Sequence, residues 1–391
     1  MKKTKKDRDK MPKNIFIVGS RGYNYNYGGW ETFVTQLVDN YHDKNTHFYI
    51  CSLANTKNEQ PIKINKNVTV IPIFTKAPGS TKMLFYSLKS FSYCVNYIKH
   101  NNLSNTYIYV LGLKLFTALK TNYHKCQKLG IKIYVNPDGL EHKRSKWSYP
   151  VKKFFLLSEK LMLNNCDLIV CDGLGIQKYV INKYPKLKNK TIYIAYGAKE
   201  RDLSHLDEES ILKEYNLKKD NYCLMVGRCV PENNYELVIK AFLNTSLKKD
   251  LVIITNLSSS NYYQSLKETT NFPQDKRIKF IDGVYDQDKL AVIRKNAYLY
   301  IHGHSVGGTN PSLLEALSLT DLNLLYDVCF NKDIGGSSCL YFKNSASLTK
   351  LLDDSSLLET SKKELGPQAK KIIKTNFTWD IIVNKYKEIF K

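Results

Sequence analysis

The stretch HSVGGTNPSLLEAL, His304 to Leu317, sets two glycines, a Thr-Asn-Pro step and a carboxylate side by side. Upstream, NAYLYIHG is apolar and aromatic and reads as a buried strand. Downstream, Leu313, Leu314 and Leu317 keep helical spacing, with Pro311 suited to the first turn and Asn310 to the N-cap. The unit is therefore strand, glycine loop, helix start. Such a start offers free N–H groups and a partial positive charge, which favour phosphate. Glu315 falls about one turn into the helix, where a carboxylate can accept hydrogen bonds from a diol. Phosphate and diol together describe a nucleotide with its ribose. The competing reading is a helix cap followed by an exposed Glu.

A second unit of the same kind lies near the N-terminus. NIFIVGS (Asn14 to Ser20) is an apolar strand, and Gly28-Gly29 precede a helix whose apolar face uses Phe33, Val34, Leu37 and Val38. Further strands read at HFYICSL, VTVIPIF, TYIYVLG, KIYVNPDG, CDLIVCDG and TIYIAYGA, mostly separated by helical patterns. They place Asp138, Asp172 and Tyr196 at strand ends. Local chemistry alone would make Asp138 part of an Asx turn around Pro137-Asp138-Gly139, Asp172 a cap and Tyr196 a packing residue. After a polar segment, KERDLSHLDEES, a second series follows: YCLMVGR, DLVIITN, RIKFIDG, AYLYIHG, LNLLYDV and CLYF.

Alternating strands and helices imply parallel sheets. The expected architecture is α/β, with two Rossmann-like doubly wound domains facing a central cleft. The expected divisions are a basic disordered tail (1–13), a first domain (14–198), a linker (199–210) and a second domain (211–373). A final helix (374–391) should pack back on the first domain. Ligands in such sheets sit at the carboxyl ends of strands.

Composition narrows the partners. The 391 residues are 43% apolar and 24% charged, a globular balance with ample core. Nine cysteines, scattered and without a CxxC pair, suit reduced thiols rather than a disulfide framework or a zinc site. No apolar run reaches the ~18 residues of a membrane span, and no h-region follows the basic N-terminus. The net charge of +23 admits nucleic acid, an anionic membrane or a phosphorylated substrate. No RNA-recognition or helix-turn-helix signature accompanies it, so nucleic acid is not an expected partner.

Taken together and in order, GSRG, YGGWETFV, NPDGLEHKRSKW, AYGA, VGRCVPENN, HGHSVGGTNPSLLEAL and YDVCFNKD resemble the bacterial cell-surface polysaccharide glycosyltransferases of glycosyltransferase family 4. The subgroup they resemble includes rhamnosyltransferases that extend undecaprenyl-diphosphate-linked sugars. The resemblance implies a GT-B fold and retaining transfer from a nucleotide sugar without a metal or other cofactor. It places Arg228 at the basic position near the donor diphosphate, a task its planar fork suits. Glu232 and Asn233 stand beside it, Asn233 or Asn234 where the family often has Lys. Glu315 matches the second of the family's two glutamates and would hold the ribose. The first would fall at Gly307, which has no carboxylate. Gly308, Thr309 and Asn310 would donate to the diphosphate or sugar. Gly28 and Gly29 match a loop that closes near the donor phosphate and acceptor. Asp138 would receive or steer the acceptor hydroxyl proton, with Asp172 and Tyr196 as further catalytic candidates.

The implied reaction moves a sugar, L-rhamnose first among candidates, to a lipid-linked saccharide at the inner face of the plasma membrane. Another nucleotide sugar, or a non-catalytic binding role, is the alternative. The flank KRSKWSYPVKK, with Lys143, Arg144, Lys146, Lys152 and Lys153, is the expected contact with anionic lipid. His142, His302 and His304 lack ligand spacing and are expected to be hydrogen-bonded structural residues. In YDQDKL, Asp286 and Asp288 form a DxD triplet of the kind that can hold a divalent ion. Its position before a helical stretch instead suggests Asp288 as the N-cap and Asp286 in the preceding turn.

Overall fold

The computed structural model describes residues 12–24, 28–143, 147–257 and 261–391. Contacts divide the chain into two compact units. One runs to Tyr196 and takes in Trp379–Lys391; the other is Gly197–Thr378. The polar stretch 199–210, expected as a linker, belongs to the second unit, where Leu203 is buried in a core with Leu212 and Leu217.

The first unit is built on β1 (Lys13–Val18), β2 (Thr46–Ala54), β3 (Ile62–Asn65), β4 (Val68–Phe74), β5 (Thr106–Leu111), β6 (Ile131–Asn136), β7 (Leu168–Cys171) and β8 (Thr191–Tyr193). Their order is β3-β4-β2-β1-β5-β6-β7-β8, parallel apart from the β3–β4 hairpin. The sequence reading missed β3, whose four residues are all exposed and so carry no burial pattern. The central strands are continuous apolar or aromatic runs because helices cover both faces of a parallel sheet. In β5, TYIYVL, every residue is buried. Each such large side chain contributes about 1.5–3 kcal/mol on burial. The helix Trp379–Ile389 packs into this unit. Tyr386 meets the Tyr109 hydroxyl at 3.0 Å, and the Tyr134 hydroxyl donates to the Ile389 carbonyl at 2.7 Å. The final helix, expected over 374–391, is thus Trp379–Ile389, and the residues before it belong to one long helix, Ser355–Asn376, that runs through Pro367.

The second unit contains β9 (Tyr222–Val226), β10 (Asp250–Ile254), β11 (Ile278–Ile281), β12 (Leu299–His302), β13 (Asn323–Tyr326) and β14 (Leu340–Phe342). Its order, β11-β10-β9-β12-β13-β14, is all parallel. This is the doubly wound dinucleotide-fold order, and its direction reverses between β9 and β12. In such sheets the crevice outside that reversal is where ligands bind. The first sheet reverses between β1 and β5 in the same way.

Candidate active site

At the reversal in the second sheet, two loops are laced together. The loop after β9 carries Gly227 to Asn234, and the loop after β12 carries Gly303 to Asn310. The Asn234 amide donates to the Gly303 carbonyl (2.8 Å), and both the N–H and the hydroxyl of Ser305 donate to the Glu232 carbonyl (2.9 and 2.8 Å). A Cβ on Gly303 would lie 2.3 Å from the Asn233 carbonyl oxygen, so glycine is what lets the loops approach.

On this frame Arg228 is exposed, and its guanidinium makes no hydrogen bond or ion pair among the described residues. Its carbonyl is held by the Asn233 side chain (2.8 Å). Asn233 is buried, with its side-chain amide holding the loop's shape. Glu232 is partly buried and contributes its carbonyl to the lacing. The helix Pro311–Leu319 starts as expected. Asn310 is extended, its side chain accepts from the Ser312 N–H at 2.9 Å, and Pro311 follows. That oxygen of Asn310 is therefore committed to the cap. Thr309 is buried, while Gly307 and Gly308 are partly exposed. Gly307 has φ +149° and open space where a side chain would be.

Glu315 is not a free carboxylate. Its Oε2 pairs with the Arg294 guanidinium at 2.7 Å; the side chains are 19% and 3% exposed. Arg294 also donates to the Ser312 hydroxyl (3.2 Å). One carboxylate oxygen is anchored, and the other, at a partly exposed position, can still accept from a diol. Arg294 was missed in the sequence. The signal was there: it shares a helical stripe with Leu290, Ile293 and Ala297, an unusual place for a cation.

Behind Arg228 stand two stacked imidazoles, His302 and His304, 4.2 Å apart and nearly parallel. Neither ring nitrogen of His302, nor Nδ1 of His304, has a hydrogen-bond partner among the described residues. The expectation of hydrogen-bonded structural histidines fails for this pair. Burial, then the Arg228 charge, pushes His304 down to about 3, so it is neutral at physiological pH. The DxD triplet serves the fold in the reverse order from that expected. Asp286 is the N-cap, accepting from the Asp288 and Lys289 N–H groups, and Asp288 pairs with Arg201 at 2.6 Å.

In the first unit, Gly28 has φ +133°, and a Cβ there would strike the Glu31 carboxylate at 1.9 Å. Glu31 accepts from the Arg21 N–H at 2.8 Å and so ties the Gly28-Gly29 loop to the loop after β1. Asp138 is held at φ +59° in a turn closed by the Asn136 side chain, which accepts from the Asp138 N–H at 2.8 Å. The Asx residue of that turn is Asn136. Asp172, at the end of β7, is fully buried, and its carboxyl is pushed up to about 7 by burial and then by the Asp138 charge. Tyr196 is buried beside it, its ring stacked on Phe33 at 4.8 Å, so packing as well as polarity fixes its place. The structure thus couples Asp138, Asp172 and Tyr196 electrostatically; burial pushes the tyrosine well above its ordinary value.

Arg144 and Lys146 lie outside the described residues, as does the side chain of Lys143. In the helix Tyr149–Asn164, Lys153, Lys160, Leu157 (51% exposed) and Tyr149 (71%) face outward, while Phe155 and Met162 are buried. Among the described residues no helix is long and apolar enough to cross a membrane.

Comparisons with known proteins agree with this anatomy. A family model described as a domain of unknown function (DUF1972) matches residues 12–199. An uncharacterized glycosyltransferase of Methanocaldococcus jannaschii, MJ1069, is 26% identical over 245 residues, covering 59% of this chain and 60% of that protein. Sucrose-phosphate synthase from Thermosynechococcus elongatus superposes with a TM-score of 0.77 over 97% of this chain and 98% of its own, at 14% identity. Anabaena HepE, solved with UDP-glucose, superposes with a TM-score of 0.71 over 96% and 98%, at 13% identity. The chain has the GT-B fold, with two Rossmann-like domains.

Proposed function

We propose that this protein is a glycosyltransferase that takes a sugar from a nucleotide-diphosphate donor and places it on a lipid-linked saccharide. The carrying observation is the second sheet's reversal point. There an exposed Arg228, a helix start at Pro311 and the anchored carboxylate of Glu315 stand on two laced loops. These are the complements of a diphosphate and a ribose. The likeness to MJ1069, itself named a glycosyltransferase, and to HepE with UDP-glucose supports the same reading.

In this reading, charge on the departing diphosphate is the main thing to stabilise. Arg228 and the amides from Gly308 onward supply that stabilisation in place of a divalent ion. Asp138 and Asp172 handle the acceptor hydroxyl proton: a buried carboxyl that titrates near neutrality can take one up at physiological pH. Transfer proceeds with retention. The motif resemblance favours dTDP-L-rhamnose and an undecaprenyl-diphosphate-linked acceptor, with the protein peripheral at the cytoplasmic membrane face. UDP-glucose is the first alternative donor, because HepE was solved with it.

The test is a panel of nucleotide sugars incubated with membrane lipid acceptors in excess EDTA, read as lipid-product mass. A product of one hexose or deoxyhexose that disappears in Arg228→Ala is expected. Donor binding without any product would favour a non-catalytic role, and restoration by magnesium or manganese would overturn the metal-free mechanism.

A further inference from the structure

The first sheet has its own reversal point, between β1 and β5. Gly19 follows β1 at φ +111°, where a Cβ would fall 2.2 Å from the Leu111 carbonyl oxygen. Gly112 follows β5 at φ +85°, and a Cβ there would strike the benzo edge of the Trp30 indole at 2.4 Å. Glycine is thus required on both strands, and Trp30 is seated directly on the backbone of the second. Trp30 is partly exposed. Trp379 is buried, and Trp147 packs on Phe155 at 5.4 Å, whereas Trp30 has no ring–ring partner among the described residues. Above its ring, 5.2 Å from the centroid, stands the Lys114 ammonium. At the end of β1 the Ser20 hydroxyl is fully buried without a hydrogen-bond partner among the described residues.

A glycine-lined edge, an indole face and a cation are the complements of one ligand chemistry. The C–H face of a pyranose packs on an aromatic ring, and a phosphate pairs with an ammonium. The place agrees, since a doubly wound sheet binds ligands outside its reversal point. We propose that Trp30, Lys114 and the edge around Gly112 form a subsite for a glycosyl phosphate, the sugar on the indole and the phosphate at Lys114. Under the glycosyltransferase reading, on which this rests, the glycosyl phosphate is the acceptor's first sugar with its diphosphate. The donor's sugar-phosphate has the same chemistry, so the test separates the two.

The full-length chain is titrated with geranyl-diphospho-N-acetylglucosamine, following tryptophan fluorescence, and separately with UDP and UDP-glucose by calorimetry. The lipid probe should quench saturably, and Trp30→Phe should abolish the quench. Lys114→Met should weaken the probe about tenfold, the loss expected of one charge-assisted hydrogen bond. Both variants should bind UDP and UDP-glucose as the wild type does, with unchanged near-ultraviolet dichroism reporting an intact fold. Absence of a saturable quench, or a quench that survives Trp30→Phe, overturns the subsite. So does a Lys114→Met protein that binds the probe normally. Weakened UDP-glucose with unchanged UDP and lipid probe overturns the acceptor assignment. If UDP binding depends on Arg228 while Trp30 stays silent, the subsite fails and the glycosyltransferase reading stands. Failure of the wild type to bind either UDP or dTDP removes both.

Discussion

Replacing Glu315 by Gln tests whether its carboxylate is positioned from within. Breaking a buried ion pair by removing one partner costs about 3–5 kcal/mol. Here Arg294 is only 3% exposed but Glu315 is 19% exposed, and Gln keeps an oxygen that can accept from the guanidinium. The cost should therefore fall to about 2–3 kcal/mol, the worth of the charge in a charge-assisted hydrogen bond. For a unit of this size that is a drop of roughly 4–12 °C in the transition that includes the second domain. Adding Arg294→Met should recover most of the loss, since neither charge then remains buried. Scanning calorimetry of the two single variants and the double variant gives the coupling, and UDP titration of each gives the affinity. A Glu315→Gln transition within 1 °C of wild type would mean the pair is solvated and the argument wrong. A lowered transition with unchanged UDP affinity would make Glu315 a structural residue alone.

Other outcomes follow from the same geometry. Asp286→Ala should cost about 1 kcal/mol in thermal melts by removing the cap, and Asp288→Ala, which breaks only an exposed pair, less than that. Asp172 is protonated more readily when folded than unfolded, so its contribution should lower stability as pH rises from about 4, the unfolded value, towards its folded value of about 7. Asp172→Asn should flatten that slope in urea titrations and remove a rise in transfer rate near pH 7. A wild-type slope kept by the variant would assign the titration elsewhere. Arg228→Ala should lower kcat more than it raises KM, and an effect on KM alone would indicate ground-state binding only. Charge reversal at Lys152 and Lys153, like added salt, should reduce sedimentation with anionic liposomes; equal binding to neutral vesicles would count against electrostatic attachment.

By itself the sequence determined most of the elements and the local chemistry at their ends. Burial of whole strands between helices leaves an apolar run that can be read directly, which is why LYIH and YCLMV stood out and the exposed IKIN of β3 did not. Glycine before a helix, Asn before Pro, and an Arg after a strand are local chemistry, so the phosphate-favouring loop and its cap at Asn310 were legible. What each polar side chain does with its hydrogen bonds was not, because that depends on neighbours distant in the chain. Asn233 turned inward to hold Arg228, Glu315 acquired Arg294, and the cap passed from Asp288 to Asp286. His302 and His304 became a stacked neutral pair, and Asp172 a carboxyl that titrates near neutrality. Only tertiary structure decides these, since burial and the nearest charge set protonation, and two strands that are neighbours only in the sheet bring Gly112 under Trp30.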